Sequence, residues 1–233
     1  MIMMLDEFQR TRMLIGEKEL SALRKKKVAV FGVGGVGSYV LEALARVGIN
    51  ELVLIDNDIV SITNINRQLV ALNSTINRPK VDVMKERILD INKKALIKTY
   101  KEFYNKDSAH FLIQDDYDYI VDAIDSISSK VDLIVESKRR GIPIISSMGA
   151  GNKLEPTMFE VADIYDTSVC PLARCIRKKL KKLKIESLKV VYSKEQPKKA
   201  IEEGVPASIS FVPSVVGLII ASEVVKDLLK SVK

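Results

Sequence analysis

Two rhythms of apolar residues alternate along the chain. Short apolar runs, such as "KVAVFGV" ending at Val33 and "ELVLI" ending at Ile55, are bounded by charged or turn-forming residues, as buried strands are. Between them, Val40, Leu41, Leu44 and Val47 recur at i, i+1, i+4 and i+7 and predict a helix that Gly48 ends. Val81, Met84, Ile88 and Ile91 predict a second helix. "LIKTYKEF" reads as a third strand, and "YDYIVDAIDS" as a fourth that ends at Asp122 and Asp125. A helix over 129–140 is broken by Gly141 and Pro143, before a fifth strand in "PIISSMGAG". Strands alternating with helices in this way predict an α/β fold, with a doubly wound, mostly parallel sheet and helices on both faces. After Gly151 the rhythm changes. "TMFEVADI" and "SLKVVYS" read as additional C-terminal strands around a basic helix over 171–184, followed by a Lys/Glu/Pro-rich loop over 194–207. No internal repeat is visible, and 233 residues suit a single elaborated domain, with a core over 1–155 and a C-terminal part over 156–233.

Composition adds little to the fold but narrows the class. Apolar residues make up 47% of the chain and charged residues 29%, ordinary proportions for a soluble globular protein. "MIMMLDEFQRTR" lacks the basic start and apolar stretch of a signal peptide. The most membrane-like segment, 211–229, is interrupted by Pro213, Ser214, Ser222, Glu223 and Lys226. Its longest apolar run, Val215–Ala221, is far short of the roughly 20 residues of a span. A buried or interface helix is expected there. Two cysteines cannot build a disulfide framework, which fits a reducing, cytoplasmic setting. The formal charge of +7 is local: "RCIRKKLKKLK" at 174–184 carries seven basic residues and no acid, and the rest of the chain balances at 30 of each sign.

The chemistry concentrates around "FGVGGVGS". Gly32, Gly34, Gly35 and Gly37 lie where a strand turns into a helix, a Rossmann-like arrangement that brings backbone N–H groups close to phosphates. Asp56 falls 19 residues past Gly37, at the end of the next strand, where a carboxylate accepts ribose hydroxyls. An NAD enzyme needs little beyond that acid. Here "DNDIVSITNINRQ" adds Asn64, Asn66, Arg67 and Gln68, and Lys80 follows. Arg67 and Lys80 with the loop amides form a cationic clamp that suits a triphosphate better than a dinucleotide. Asp125 at the same sheet edge is a reasonable Mg²⁺ ligand. Each residue also has a plainer reading, as turn former, surface ion pair or helix cap. His110, the only histidine, lies outside every motif and reads as an ordinary surface or helix residue.

"GVGGVGS", "EALARVGI", "LVLIDNDIVSITNINRQ", "RPKVDVMKERILDINK" and "VDAIDS" together resemble the ThiF/MoeB/HesA superfamily of adenylate-forming enzymes, over residues 10–155. The resemblance implies ATP with Mg²⁺, and attack of a substrate carboxylate on the α-phosphate to give an acyl-adenylate. It places Gly34 and Gly35 in the phosphate loop and Asp56 on the ribose. It places Asn64, Arg67 and Gln68 around the phosphates, Lys80 on them, and Asp125 on Mg²⁺. Arg12 in "RTRMLIG" matches an arginine that reaches the partner subunit's ATP, which implies a homodimer. A carboxylate nucleophile is already ionised at neutral pH and needs charge neutralisation and placement rather than a general base.

The substrate is narrowed by what surrounds this core. Sulfur-carrier activators of the superfamily usually carry two C-x-x-C pairs. Here Cys170 and Cys175 are spaced C-x₄-C with no second pair, so no structural zinc is expected. Cys170, before a basic helix, is a candidate acyl acceptor, though such cysteines are usually plain packing residues. "RMLIGEKEL", "GAGNKLEPT" and "CPLARCIRKKLKK" extend the resemblance over nearly the whole chain, to the tRNA threonylcarbamoyladenosine dehydratase branch. That branch implies dehydration of threonylcarbamoyladenosine in tRNA through an adenylate on its carboxylate, with a cysteine desulfurase or sulfur-acceptor system as a further associated partner. Some members carry a cysteine before the C-terminal helix, whereas "EEGVPASISFVP" has none. The alternative is an adenylyltransferase for the C-terminus of a ubiquitin-like sulfur-carrier protein. Arg174, Arg177, Lys178, Lys181 and Lys182 form one cationic stripe opposite an apolar face of Leu172, Ile176, Leu180 and Leu183, and this stripe is the expected tRNA contact. Tyr192 is the lone candidate for base stacking.

Overall fold

The apolar runs become the strands of one sheet. The computed structural model describes residues 6–199 and 206–230. Along the chain run α1 (Gln9–Ile15), α2 (Glu17–Leu23), β1 (Lys27–Phe31), α3 (Gly37–Val47) and β2 (Glu51–Ile55). Then come α4 (Lys80–Ile91), β3 (Leu96–Tyr100), α5 (Ala109–Leu112), β4 (Tyr119–Asp122), α6 (Ile127–Arg139) and β5 (Ile144–Ser147). The chain continues with β6 (Phe159–Asp163), α7 (Pro171–Lys182), β7 (Lys189–Ser193) and α8 (Phe211–Lys230). The strand order is β3-β2-β1-β4-β5-β7-β6, and every neighbouring pair is parallel except β6 with β7.

Side-chain alternation explains the two helical layers. Successive residues of a strand point to opposite faces, and both faces here are apolar. Val28, Val30, Leu52 and Leu54 pack into the core under α3, α4 and α8. Ala29, Phe31, Val53 and Ile55 pack into the other, under α5, α6 and α7. The expected doubly wound sheet is therefore observed. Gly48 ends α3 in the left-handed conformation at φ 100°. Segment 211–229 falls in α8, whose Val212, Val216, Ile220 and Val224 recur every four residues and are buried in the first core. Among the described residues no helix is long and apolar enough to cross a membrane. The C-terminal part adds β7 and β6 to the same sheet, beyond β5.

Two boundaries differ from expectation. Strand β4 stops at Asp122, so Asp125 stands on the following loop rather than at the strand end. Helix α7 stops at Lys182, where Lys184 takes a positive φ of 57°. Leu183 is therefore past the helix and 52% exposed, not part of its buried face. Residues 200–205 of the Lys/Glu/Pro-rich loop lie outside the described residues.

A buried ion pair fastens the strand ends. Lys130 of α6 donates to Asp122 Oδ2 at 2.8 Å, and both side chains are fully buried. The ammonium also donates to the Ser147 carbonyl (3.0 Å) and Ser146 Oγ (3.3 Å), joining β4 to β5. Removing one partner of such a pair leaves an uncompensated charge, at a cost of about 3–5 kcal/mol. Lys130→Met is therefore expected to lower the urea midpoint by that much stability. Replacing Lys130 and Asp122 together by Met and Leu is expected to recover part of it.

Candidate active site

A cavity of about 770 Å³ opens at the carboxyl ends of β1, β2, β4 and β5. That volume lies in the usual range for small-molecule sites. Strands β1 and β4 lie side by side, although three helices and two other strands separate them in sequence. The crevice thus sits at the switch point where the connections diverge to opposite faces.

The β1–α3 turn is shaped by contacts only glycine allows. Gly32 has φ 91°, and a Cβ there would stand 2.6 Å from the Ala123 carbonyl oxygen. A Cβ on Gly37 would stand 1.8 Å from the Gly32 carbonyl oxygen. Gly37 does not line the cavity; it is a packing residue that lets α3 start directly against the turn. Gly32, Gly34 and Gly35 do line it, at the head of α3, where the positive end of the helix dipole favours an anion.

Asp56 lies beside this turn, at the end of β2. Its Oδ2 accepts from the Val33 amide (2.6 Å) and its Oδ1 from the Asp58 amide (2.8 Å). Burial raises its pKa above the ordinary carboxylate range, against the lowering effect of the Lys80 charge. Asn64, Arg67, Gln68 and Lys80 also face the cavity. Asn64 Oδ1 accepts from the Ser61 amide (3.1 Å), which fixes the short turn carrying the N-x-N-R-Q motif. Asn66, which does not line the cavity, donates to the Ser208 carbonyl (3.0 Å). Arg67 is held by the Thr63 carbonyl and Asn66 Oδ1, each at 2.9 Å. Gln68 Oε1 is buried with no hydrogen-bond partner, an acceptor open to a ligand donor. The Lys80 ammonium, almost fully buried, donates to Asp58 Oδ2 at 2.7 Å. Asp125 is exposed on the β4–α6 loop, faces the cavity, and has no protein partner among the described residues.

The sequence-predicted residues thus converge, with exceptions. Arg12 does not line the cavity; it pairs with Asp6 and Glu17 near α1. Arg177 does not belong to the free cationic stripe. Its guanidinium donates to the Thr167 carbonyl (2.7 Å) and Thr167 Oγ1 (2.6 Å), so it anchors α7 to the preceding loop. Arg174, Lys178, Lys181 and Lys182 are exposed and pair with no acid among the described residues. Tyr192 is buried on β7, donating to Glu160 Oε1 at 2.6 Å, and offers no stacking surface. His110 is exposed on α5, away from the cavity. Cys170 is buried at the head of α7 on the cavity wall, and Cys175 is half-buried further along that helix. Among the described residues no group of three or more His, Cys, Asp or Glu is placed to hold a metal.

Four lining residues escaped the sequence reading. Asp58 sits inside the "DND" already singled out, and only the fold shows that it holds Lys80. Phe103 and Tyr104 line the cavity just past β3. Lys153, inside "GAGNKLEPT", is a buried cation on the wall opposite the glycine turn, a position no periodicity marks.

A glycine turn into a helix, an acid at the next strand's end and a cationic cleft at a switch point are the arrangement of an α/β nucleotide-binding enzyme. The chain belongs to the ThiF family, whose sequence model matches residues 8–232. It is 44% identical to the tRNA threonylcarbamoyladenosine dehydratase of Bacillus subtilis, across 99% of this chain and 97% of that protein. The Escherichia coli tRNA N6-threonylcarbamoyladenosine dehydratase in complex with AMP superposes with a TM-score of 0.92 at 33% identity, covering 97% of this chain and 94% of that one. The same enzyme in complex with ATP gives 0.89. The adenylyltransferase and sulfurtransferase UBA4 of Vanderwaltozyma polyspora is 32% identical, over 65% of this chain and 36% of its own length.

The glycines make separable predictions. Gly37→Ala forces a methyl onto a backbone carbonyl, at about 1–3 kcal/mol, and is expected to lower the melting temperature by roughly 5 °C. A Cβ on Gly34 meets nothing nearer than Gln68 Nε2 at 3.8 Å. Gly34→Ala is therefore expected to melt near the wild-type temperature while weakening nucleotide binding, as measured by calorimetry.

Proposed function

We infer that this chain is an ATP-dependent tRNA threonylcarbamoyladenosine dehydratase. The observation that carries the reading is likeness to a dehydratase along nearly the full length of both chains, with a nucleotide-type cavity at the sheet's switch point. In the reaction, a carboxylate oxygen of threonylcarbamoyladenosine attacks the α-phosphorus of ATP and pyrophosphate leaves. The neighbouring carbamoyl group then attacks the acyl carbon, AMP leaves, and a ring closes. The nucleoside loses the atoms of one water.

The protein's part is placement and charge neutralisation. The amides at Gly34 and Gly35 and the cations Arg67 and Lys80 receive the phosphates. Asp56 accepts from the ribose, and Asn64 and Gln68 complete the pocket. Asp125, a cavity-facing carboxylate with no protein partner among the described residues, would hold a Mg²⁺ ion. When bound, that ion neutralises phosphate charge. A homodimer is supported by the surface around Arg12. That arginine does not reach its own cavity, and the adjacent Met13 and Leu14 are 74% and 86% exposed. A tRNA substrate supports a cytoplasmic enzyme.

Helix α7 supports the tRNA substrate. Its first residues, Cys170 to Leu172, lie on the cavity wall, and its free cations run outward from there along about 18 Å of helix. Phosphate-backbone contact follows, with Arg174, Lys178, Lys181 and Lys182 as its cations. A carrier-protein activator would share the nucleotide half of the cavity but has no evident use for this stripe.

Incubation with ATP, Mg²⁺ and tRNA bearing threonylcarbamoyladenosine is expected to yield a nucleoside lighter by one water, by mass spectrometry. AMP formation stimulated only by a carrier protein, with unchanged nucleoside, would overturn the reading. Replacing Lys178, Lys181 and Lys182 by Glu is expected to weaken tRNA binding by about tenfold or more at moderate salt, with a shallower salt dependence and unchanged ATP affinity. Arg177→Glu is instead expected to lower the melting temperature, since it breaks an internal anchor.

A further inference from the structure

The cavity has a second charged end. Lys153, in the loop after β5, is 3% exposed and lines the cavity wall. Its ammonium donates to the Glu195 backbone carbonyl at 2.8 Å, its one protein acceptor among the described residues. An ammonium has three donors, so hydrogen-bonding capacity remains beside the cavity. The nearby carboxylate does not take it up. Glu195 Oε1 and Oε2 accept from the Leu154 amide (2.9 and 3.0 Å), and Oε2 also accepts from the Glu155 amide (2.9 Å). Burying a cation without a paired anion is costly unless something anionic or strongly polar completes its shell.

The surroundings of Lys153 are built rather than loose. Asn152 is fastened on both sides: its amide donates to the Ala207 carbonyl (2.7 Å), and its Oδ1 accepts from the Ala207 amide (2.7 Å). The Lys198 amide donates to the Asn152 carbonyl at 2.7 Å. Cys170 closes the wall from the head of α7. None of the residues assigned to ATP lies in this loop, and the loop shares the cavity with them.

We propose that Lys153 is a substrate-binding residue: its ammonium holds a carboxylate or carbamoyl oxygen of the threonylcarbamoyl group, placing the acyl arm between this wall and the phosphates. The inference rests on the dehydratase reading. It adds a group that recognises the nucleoside rather than ATP. Lys153 then serves twice, holding the carboxylate for attack on phosphorus and stabilising the charge that develops on oxygen when the ring closes.

Burial lowers the pKa of Lys153 below the ordinary lysine value, opposed by the charges of Cys170 and Glu195, the titratable groups that face it. The ammonium is therefore lost as pH rises, at a lower pH than for a solvated lysine. Substrate capture should fall along that alkaline limb.

The test uses the full-length enzyme with Lys153→Gln, Lys153→Met and Lys153→Arg, each checked by melting temperature. Expected for Gln and Met is a rise of about ten- to hundredfold in KM for tRNA bearing threonylcarbamoyladenosine. ATP affinity and binding of tRNA lacking the modification should be unchanged. Lys153→Arg should recover part of the KM effect and move the alkaline limb of kcat/KM to higher pH. Unchanged KM in folded Gln and Met variants would overturn the proposal. So would equal losses of ATP and unmodified-tRNA binding, which mark a structural prop. A wild-type enzyme that leaves threonylcarbamoyladenosine intact would overturn the dehydratase reading instead, a distinct result.

Discussion

Everything in the site depends on how closely α3 starts against the β1 turn. With Gly37 in van der Waals contact with the Gly32 carbonyl, no side chain can intervene between strand and helix. The head of α3 therefore opens into the β1–β4 crevice rather than being set back from it. That same closeness brings the Asp56 carboxylate within hydrogen-bonding distance of the Val33 amide, so the acid and the turn form one unit. The cavity's opposite wall is located separately, by the buried Lys130 that ties β4 to β5. A nucleotide site results from two rigid pieces meeting at a switch point, each fixed by its own close contact.

Most of the fold could be read from apolar spacing, because strands buried on both faces leave uninterrupted apolar runs, and helices packed on one face leave a 3.6-residue stripe. The motif residues read as a nucleotide site also converge on one cavity, apart from Gly37, Asn66 and Arg12. Those residues cluster in two short motifs whose types carry their chemistry. What escaped were relations between distant segments. Arg177 has the spacing of its neighbours on α7, yet Thr167 draws it out of the stripe, and no periodicity records a loop folding back. Tyr192, the lone stacking candidate, lies on the sheet face that packs under α7, and that core buries its ring. Lys153 sits in a segment that reads as a simple turn, and its burial follows from packing against residues more than 40 positions later.

The two ends of the cavity divide the chemical work by charge. Toward α3, helix N–H groups, Arg67 and Lys80 suit phosphate. Toward the β5 loop, a single buried ammonium suits a small oxygen anion. Between them lie the walls supplied by the turns after β4 and at the head of α7, whose free cations then continue outward along the surface. A long polymeric substrate can thus be gripped outside while a short arm reaches in. A free small molecule would need no such exterior rail.

The pairing of Lys80 with Asp58 has a further consequence. The ammonium is buried, yet it already has a carboxylate partner within the protein. A phosphate bound beside Lys80 would therefore not fill an uncompensated positive hole; it would compete with an internal carboxylate that is 59% exposed. The same ion pair keeps the lysine neutralised during folding, so the cost of burying it does not fall on the moment of binding. Asp58 is thus the resident counter-ion of Lys80, in place before any ligand arrives.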